Sequence, residues 1–164
     1  MKLKNISITF LVILVTWLLL NGNLKPPTVG IGIIVSLTVT LMFCTKCDLF
    51  SDLKLNPKSI FYMIAYIFVF IWELIKANFD VAKIVLSPSL PINPGILEVN
   101  TKLKSKMGRL ILANSITLTP GTLTVDIIDD KMYIHQVAIT DIDTKKATNS
   151  IVRTFEKYLE VIYG

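Results

Sequence analysis

Four charged residues, Glu73, Lys76, Asp80 and Lys83, interrupt an otherwise apolar stretch at helical spacing. At 100° per residue they fall within an arc of about 80° on one side of a helix, as i,i+3 and i,i+4 pairs of alternating sign. Two readings are open. The stripe faces water or lipid headgroups while the flanking apolar sides pack on protein and lipid, or Glu73 sits at membrane depth and meets a partner subunit, since intramembrane charges mark interfaces and ion paths.

Other reactive residue types are sparse. Cys44 and Cys47 form a C-x-x-C pair, but no second pair or neighbouring His completes a zinc site, so two small apolar residues at a helix end is the plainer reading. His135 is the only histidine. Asp126, Asp129 and Asp130 lack the spacing of a calcium loop and suit a hairpin tip. Thr119-Pro120-Gly121-Thr122 has neither the glycines nor the Lys of a phosphate loop. No nucleophile, base and oxyanion donor assemble from these residues, so the sequence predicts no enzyme, no metal and no cofactor.

The elements that position the charged stripe are apolar. Asn5–Leu24 and Pro26–Thr45 are uncharged runs of 20 residues each, separated by Lys25. A helix needs roughly 20 residues to cross a hydrocarbon core about 30 Å thick. A third run starts at Ser59, stays uncharged to Trp72, becomes amphipathic and stops at Ser87-Pro88. Three transmembrane helices are expected, at about 5–24, 26–45 and 59–86, making 1–86 a membrane region. Leu20–Leu24 offers no signal-peptide cleavage site, so the first segment reads as retained. Its link to the second forces a tight antiparallel hairpin, in which Gly30, Gly32, Ser36, Thr38 and Thr40 are the small residues that allow close helix approach.

Composition agrees: hydrophobic residues make up 52% of the 164 and the net charge is +5, with a mean hydropathy of +0.62. The basic residues are spread near membrane edges instead of gathering on one surface among aromatics, which argues against a nucleic-acid partner. Lys83, Lys102, Lys104, Lys106 and Arg109 follow the last apolar segment and favour a cytoplasmic tail. Three crossings would place the termini on opposite sides. A hairpin leaving both termini inside would reconcile the loop charges, and it stays open.

Residues 87–95, with prolines at 88, 91 and 94, read as a stiff linker. Beyond it, 96–164 reads as a small α+β domain. Leu97, Val99, Thr101 and Leu103 alternate as a strand, and Met107 to Ala113 follow at helical spacing, ending near Ser115. Leu123, Val125 and Ile127 alternate again, and Asp129-Asp130-Lys131 reverses the chain into a third strand over about 132–139. A last helix, capped by Asp141 or Asp143, buries Ala147, Ile151, Phe155, Tyr158, Leu159 and Ile162. The order strand-helix-strand-strand-helix resembles a truncated ferredoxin-like unit.

These residues together resemble the E subunit of the multisubunit sodium/proton antiporters of the Mrp or Mnh type. The resemblance rests on Thr16-Trp17, on Trp72-Glu73-Leu74-Ile75-Lys76-Ala77-Asn78 with Val81-Ala82, on Pro94-Gly95-Ile96, and above all on Leu112 to Asp126, which looks like that family's hallmark. It implies a multi-pass accessory subunit of a bacterial cell-membrane complex. The partners would be the other antiporter subunits and membrane lipid. Within the hallmark, Asn114, Thr117 and Thr119 are short polar residues suited to tying a helix end into the Pro120-Gly121 turn. The rival reading from the residues alone is a membrane-tethered binding or sensor module. A small self-sufficient transporter ranks last, because the first segment carries no charge between Asn5 and Leu24.

Overall fold

The structure is a computed structural model, and it describes residues 2–43, 50–139 and 143–164. Cys44, Cys47 and Asp141 lie outside the described residues. The chain divides into two compact units, Met1–Asp52 and Leu53–Gly164.

The first unit is the expected hairpin. Helix α1, Lys2–Asn21, ends where Gly22 turns left-handed at φ 61° and its N–H reaches Leu18 O at 3.0 Å. Helix α2, Pro26–Phe43, starts on two prolines whose missing N–H groups cost nothing there. Trp17 Nε1 donates to Thr28 O at 3.0 Å across the bend. A Cβ on Gly32 would fall 2.5 Å from Trp17 Cδ1, so only glycine admits the indole there. The buried residues of α2 are Gly32, Ser36 and Thr40, spaced by four, which is the small-residue stripe of a close helix contact. Gly30, by contrast, faces open space, and Thr38 bonds back to Ile34 O of its own helix.

The second unit opens with α3, Pro57–Leu86, capped by Asn56, whose side chain accepts from Ser59 N at 2.7 Å. By length and composition α1, α2 and α3 can each cross a membrane. After α3 come β1 (Gly95–Asn100), α4 (Lys106–Leu118), β2 (Thr122–Ile128), β3 (Lys131–Gln136), α5 (Thr144–Ala147), a π-helical turn (Thr148–Val152) and α6 (Arg153–Tyr163). The strands form an antiparallel sheet in the order β1-β3-β2, as an α+β domain requires. Asp129 sits left-handed at φ 54° in the two-residue turn joining β2 to β3, and β2 carries an irregularity between Thr124 and Asp126. Leu97, Val99, Met132 and Ile134 are buried on one sheet face with Leu112, Ile116, Val152, Phe155, Leu159 and Ile162 of the helices. Asp143 is the cap, its carboxylate accepting from Lys145 N and Lys146 N.

The sequence places the domain boundary in the proline-rich segment 87–95, whereas the compact unit begins at Leu53 and takes in α3. The reason is α6, which runs back along α3. Lys54 N bonds Ile162 O at 2.9 Å, Ser59 Oγ bonds Val161 O at 3.1 Å, and Tyr62 lies on Tyr158. Further along, Tyr66 and Phe70 pack on Phe155, and Tyr66 shares a short hydroxyl contact with Ser115 of α4. The layers are therefore the sheet, then α4 and α6, then α3.

Candidate functional site

A cavity of about 350 Å³ lies between the C-terminal half of α3 and the rest of the domain. Glu73, Ala77, Asp80, Val81 and Ile84 line it from α3, and Thr119 to Thr122 line it from the turn after α4. The end of β3, the π-helical turn and the start of α6, through Gln136, Ser150 and Thr154 respectively, close the remaining side. Folding thus brings two of the four stripe charges to the same cavity as Thr119, Pro120 and Gly121 of the hallmark block.

Helical geometry explains which charges meet the cavity. Glu73 is 26% exposed, pairs with Lys76 at 3.7 Å and leans toward the domain, while Asp80, 54% exposed, pairs with Lys83 at 3.1 Å on the rim. Lys76 and Lys83 themselves point away into solvent, 62% and 76% exposed. The acids are each matched by a lysine one turn on, a pairing worth a few tenths of a kcal/mol at most when exposed (about 0.3–0.5).

The turn is built by threonines. Thr119 Oγ1 donates to Ser115 O at 2.8 Å, and Thr122 Oγ1 donates to both Ile116 O (2.6 Å) and Thr119 O (2.8 Å), so orphan carbonyls at the end of α4 are satisfied by side chains. Thr117 Oγ1 accepts from Thr124 N at 3.1 Å, and Thr124 Oγ1 donates to Ala113 O at 3.1 Å, which stitches α4 to β2. Gly121 is left-handed at φ 89°, and a Cβ there would sit 3.2 Å from Val81 of α3. Asn114 is exposed beside Thr117 and Thr124 on a separate shallow groove, and among the described residues it makes none of these bonds.

The remaining candidates do not converge on this cavity. His135 lies in β3 between Ile96 and Leu123 on the neighbouring strands. Asp129 and Asp130 offer main-chain carbonyls, to Arg109 Nη1 and Thr101 N respectively, as hairpin residues do. Among the described residues, no group of three or more His, Cys, Asp or Glu side chains comes together as a metal site.

One residue of consequence has no sequence signal. Glu156 is 1% exposed, and its Oε1 accepts from Thr101 Oγ1 and Lys102 N, both at 2.6 Å, while Oε2 accepts from Arg153 Nη1 at 2.8 Å. It pins the loop between β1 and α4 to α6. Its position in an amphipathic helix reads as an ordinary polar residue, and only the fold reveals the partners.

An apolar helical hairpin joined to a unit with its own long apolar helix and a small antiparallel sheet has the make-up of a membrane protein. The family of Na+/H+ ion antiporter subunits matches this chain over residues 10–162. The chain belongs to that family, as its E subunit. The E subunit of the Na(+)/H(+) antiporter of Alkalihalophilus pseudofirmus is 40% identical over 147 residues, covering 90% of each chain. The E1 subunit of the Na(+)/H(+) antiporter of Staphylococcus aureus strain RF122 is 40% identical over 107 residues, 63% of this chain and 65% of that one. Among solved structures, a chain of the membrane-bound sulfane sulfur reductase, an archaeal respiratory membrane complex, superposes with a TM-score of 0.84 at 42% identity, covering 97% of this chain and 99% of that one.

Proposed function

We propose that this chain is a non-enzymatic accessory subunit of a multisubunit Na+/H+ antiporter, supporting assembly or activity of subunits that carry the ions. The observation that carries this is the distribution of ionisable groups. From Asn5 to the end of α2 the helices hold only Lys25, in the link between them, and the two acids on α3 are each paired with a lysine. A cation/proton exchanger needs ionisable groups lining a route through the bilayer, so the route belongs to other chains. Membrane lipid and the companion subunits are the partners. The membrane is the bacterial cell membrane, with the Leu53–Gly164 unit on the cytoplasmic side, where Lys102, Lys104, Lys106 and Arg109 are accommodated.

Glu73, Lys76, Asp80 and Lys83 act at the membrane edge or a subunit boundary, and the block from Asn114 to Gly121 acts as scaffold. Reconstitution tests the reading: vesicles holding this chain alone are expected to show no cation-driven proton flux, and vesicles holding the complex are expected to show it. Flux from the chain alone would overturn the proposal. Glu73→Gln in the complex separates the two roles open to that residue: unchanged assembly and transport leave only the membrane-edge role. The cavity of about 350 Å³ favours the second reading, a tethered module that binds a small ligand. A co-purifying ligand on the isolated chain would support it.

A further inference from the structure

We propose that α3 lies along the surface of the membrane, its apolar face sunk into one leaflet of anionic lipid, and that the α+β domain rides on its opposite face. The domain is attached along nearly the whole helix. Ser59 bonds Val161, Tyr62 meets Tyr158, Tyr66 and Phe70 meet Phe155, and Val81 meets Gly121. From residue 59 to residue 81 a helix rises about 33 Å, the full depth of a hydrocarbon core of about 30 Å. No uncovered length of α3 remains with which to cross. A crossing would carry Arg153, Lys157 and Glu160 of α6 through the bilayer beside it, where charged side chains are costly.

The uncovered side has the shape an interface demands. At 100° per residue, Ile60, Phe61, Ile64, Ile67, Phe68, Ile71, Trp72, Ile75, Phe79, Val85 and Leu86 fall in one arc of about 140°, and every one of them is exposed. Asn78 is the polar residue within that arc. Lys58, Lys76 and Lys83 share one border of it, within about 20° of each other, and all three are exposed. Aromatic and branched apolar residues on one face with lysines at its edge are the composition of a helix that lies in the headgroup plane, its face about 5–10 Å deep. The lysine stems lie along the apolar border while their ammonium groups reach phosphates, which selects an anionic leaflet. The chain path agrees: two crossings by α1 and α2 would return it to the side of its N-terminus, putting Lys2, Lys4, Lys54 and Lys58 on one side and leaving Lys25 on the other.

The test is nitroxide depth measurement on the full chain in its complex, in nanodiscs of phosphatidylcholine and phosphatidylglycerol, starting from Cys44→Ser/Cys47→Ser. Single labels at Ile60→Cys, Ile67→Cys, Ile71→Cys, Ile75→Cys and Val85→Cys should report one depth, equal within about 5 Å and inside the leaflet. Labels at Lys58→Cys, Lys76→Cys and Lys83→Cys should report the headgroup zone. Depth that rises to about 15 Å mid-helix and falls toward both ends is the signature of a crossing and would overturn the proposal. Apolar-face labels shielded from both oxygen and aqueous nickel would also overturn it, because the face would then be covered by protein. Sidedness gives a second readout in sealed vesicles: Lys4→Cys and Gly164→Cys should react with an impermeant maleimide from the same side, and reaction from opposite sides would refute the arrangement.

Discussion

Replacing Glu156 by Ala should loosen the second unit more than any other single polar change. The carboxylate is 1% exposed and accepts three hydrogen bonds, from Thr101, Lys102 and Arg153. Hydrogen bonds to a charged group contribute about 1.5–3 kcal/mol each. The Arg153 bond is discounted, because that side chain is 40% exposed and can turn to water. Thr101 is only 4% exposed, so its hydroxyl would lose its acceptor with little solvent to replace it. Two bonds on that scale, bounded by the range for breaking one side of a buried pair, make the loss on Glu156→Ala about 3–5 kcal/mol. Glu156→Gln keeps one acceptor oxygen and should lose about 1–2 kcal/mol. A unit of this size holds only some 5–15 kcal/mol in total. Guanidinium unfolding of the full chain in mild detergent gives the global loss, and hydrogen exchange at the Lys102 and Leu103 amides shows whether the loop is released first. An Ala variant within about 1 kcal/mol of the parent, or equal losses for Ala and Gln, would refute the claim that this carboxylate ties β1 and α4 to α6.

Within the hallmark block, Thr122→Val should cost about 1–2 kcal/mol by removing the donor that serves two carbonyls, whereas Asn114→Ala should stay within about 0.5 kcal/mol, both read by thermal unfolding. In the hairpin, Gly32→Leu should drive Trp17 from its seat, seen as a changed Trp17 emission spectrum in a Trp72→Phe background and a lower yield of assembled complex. Burial pushes the Tyr163 phenol above its usual value of 10.0. The folded state holds that proton more tightly than the unfolded chain, so the contribution is complete below pH 10 and declines as pH rises past the unfolded pKa. Tyr163→Phe should therefore lose less stability than the parent between about pH 10 and 11, as measured by denaturant midpoints.

Local signals carried much of the fold. The alternation at Leu97 and Val99, the turn at Asp129-Asp130 and the 3.6-residue spacing from Phe155 to Ile162 belong to single elements, and each lies where the structure has the matching strand, turn or helix. Boundaries shifted where side chains override pattern. Thr101 and Leu103 continue the strand's alternation and are buried, yet they sit in a loop held by Glu156, and α4 runs on to Leu118 because Thr119 and Thr122 satisfy its last carbonyls. The π-helical turn at Thr148–Val152 has no compositional mark at all. The attachment of α3 to the domain was illegible for a different reason. Tyr62, Tyr66 and Phe70 look like any apolar residues of a spanning helix, and their partners Phe155 and Tyr158 lie some 90 residues away. The cavity could not be foreseen for the same reason, although Glu73, Asp80 and the Thr119–Gly121 turn were each visible as separate features.

Dependence on companions can be measured directly by tagging the chain at Gly164, extracting the membranes in mild detergent and weighing the intact particle. The expected result is a complex containing this chain with the larger antiporter subunits and no appreciable pool of the chain alone. A stable, monodisperse particle made of this chain by itself would contradict the account.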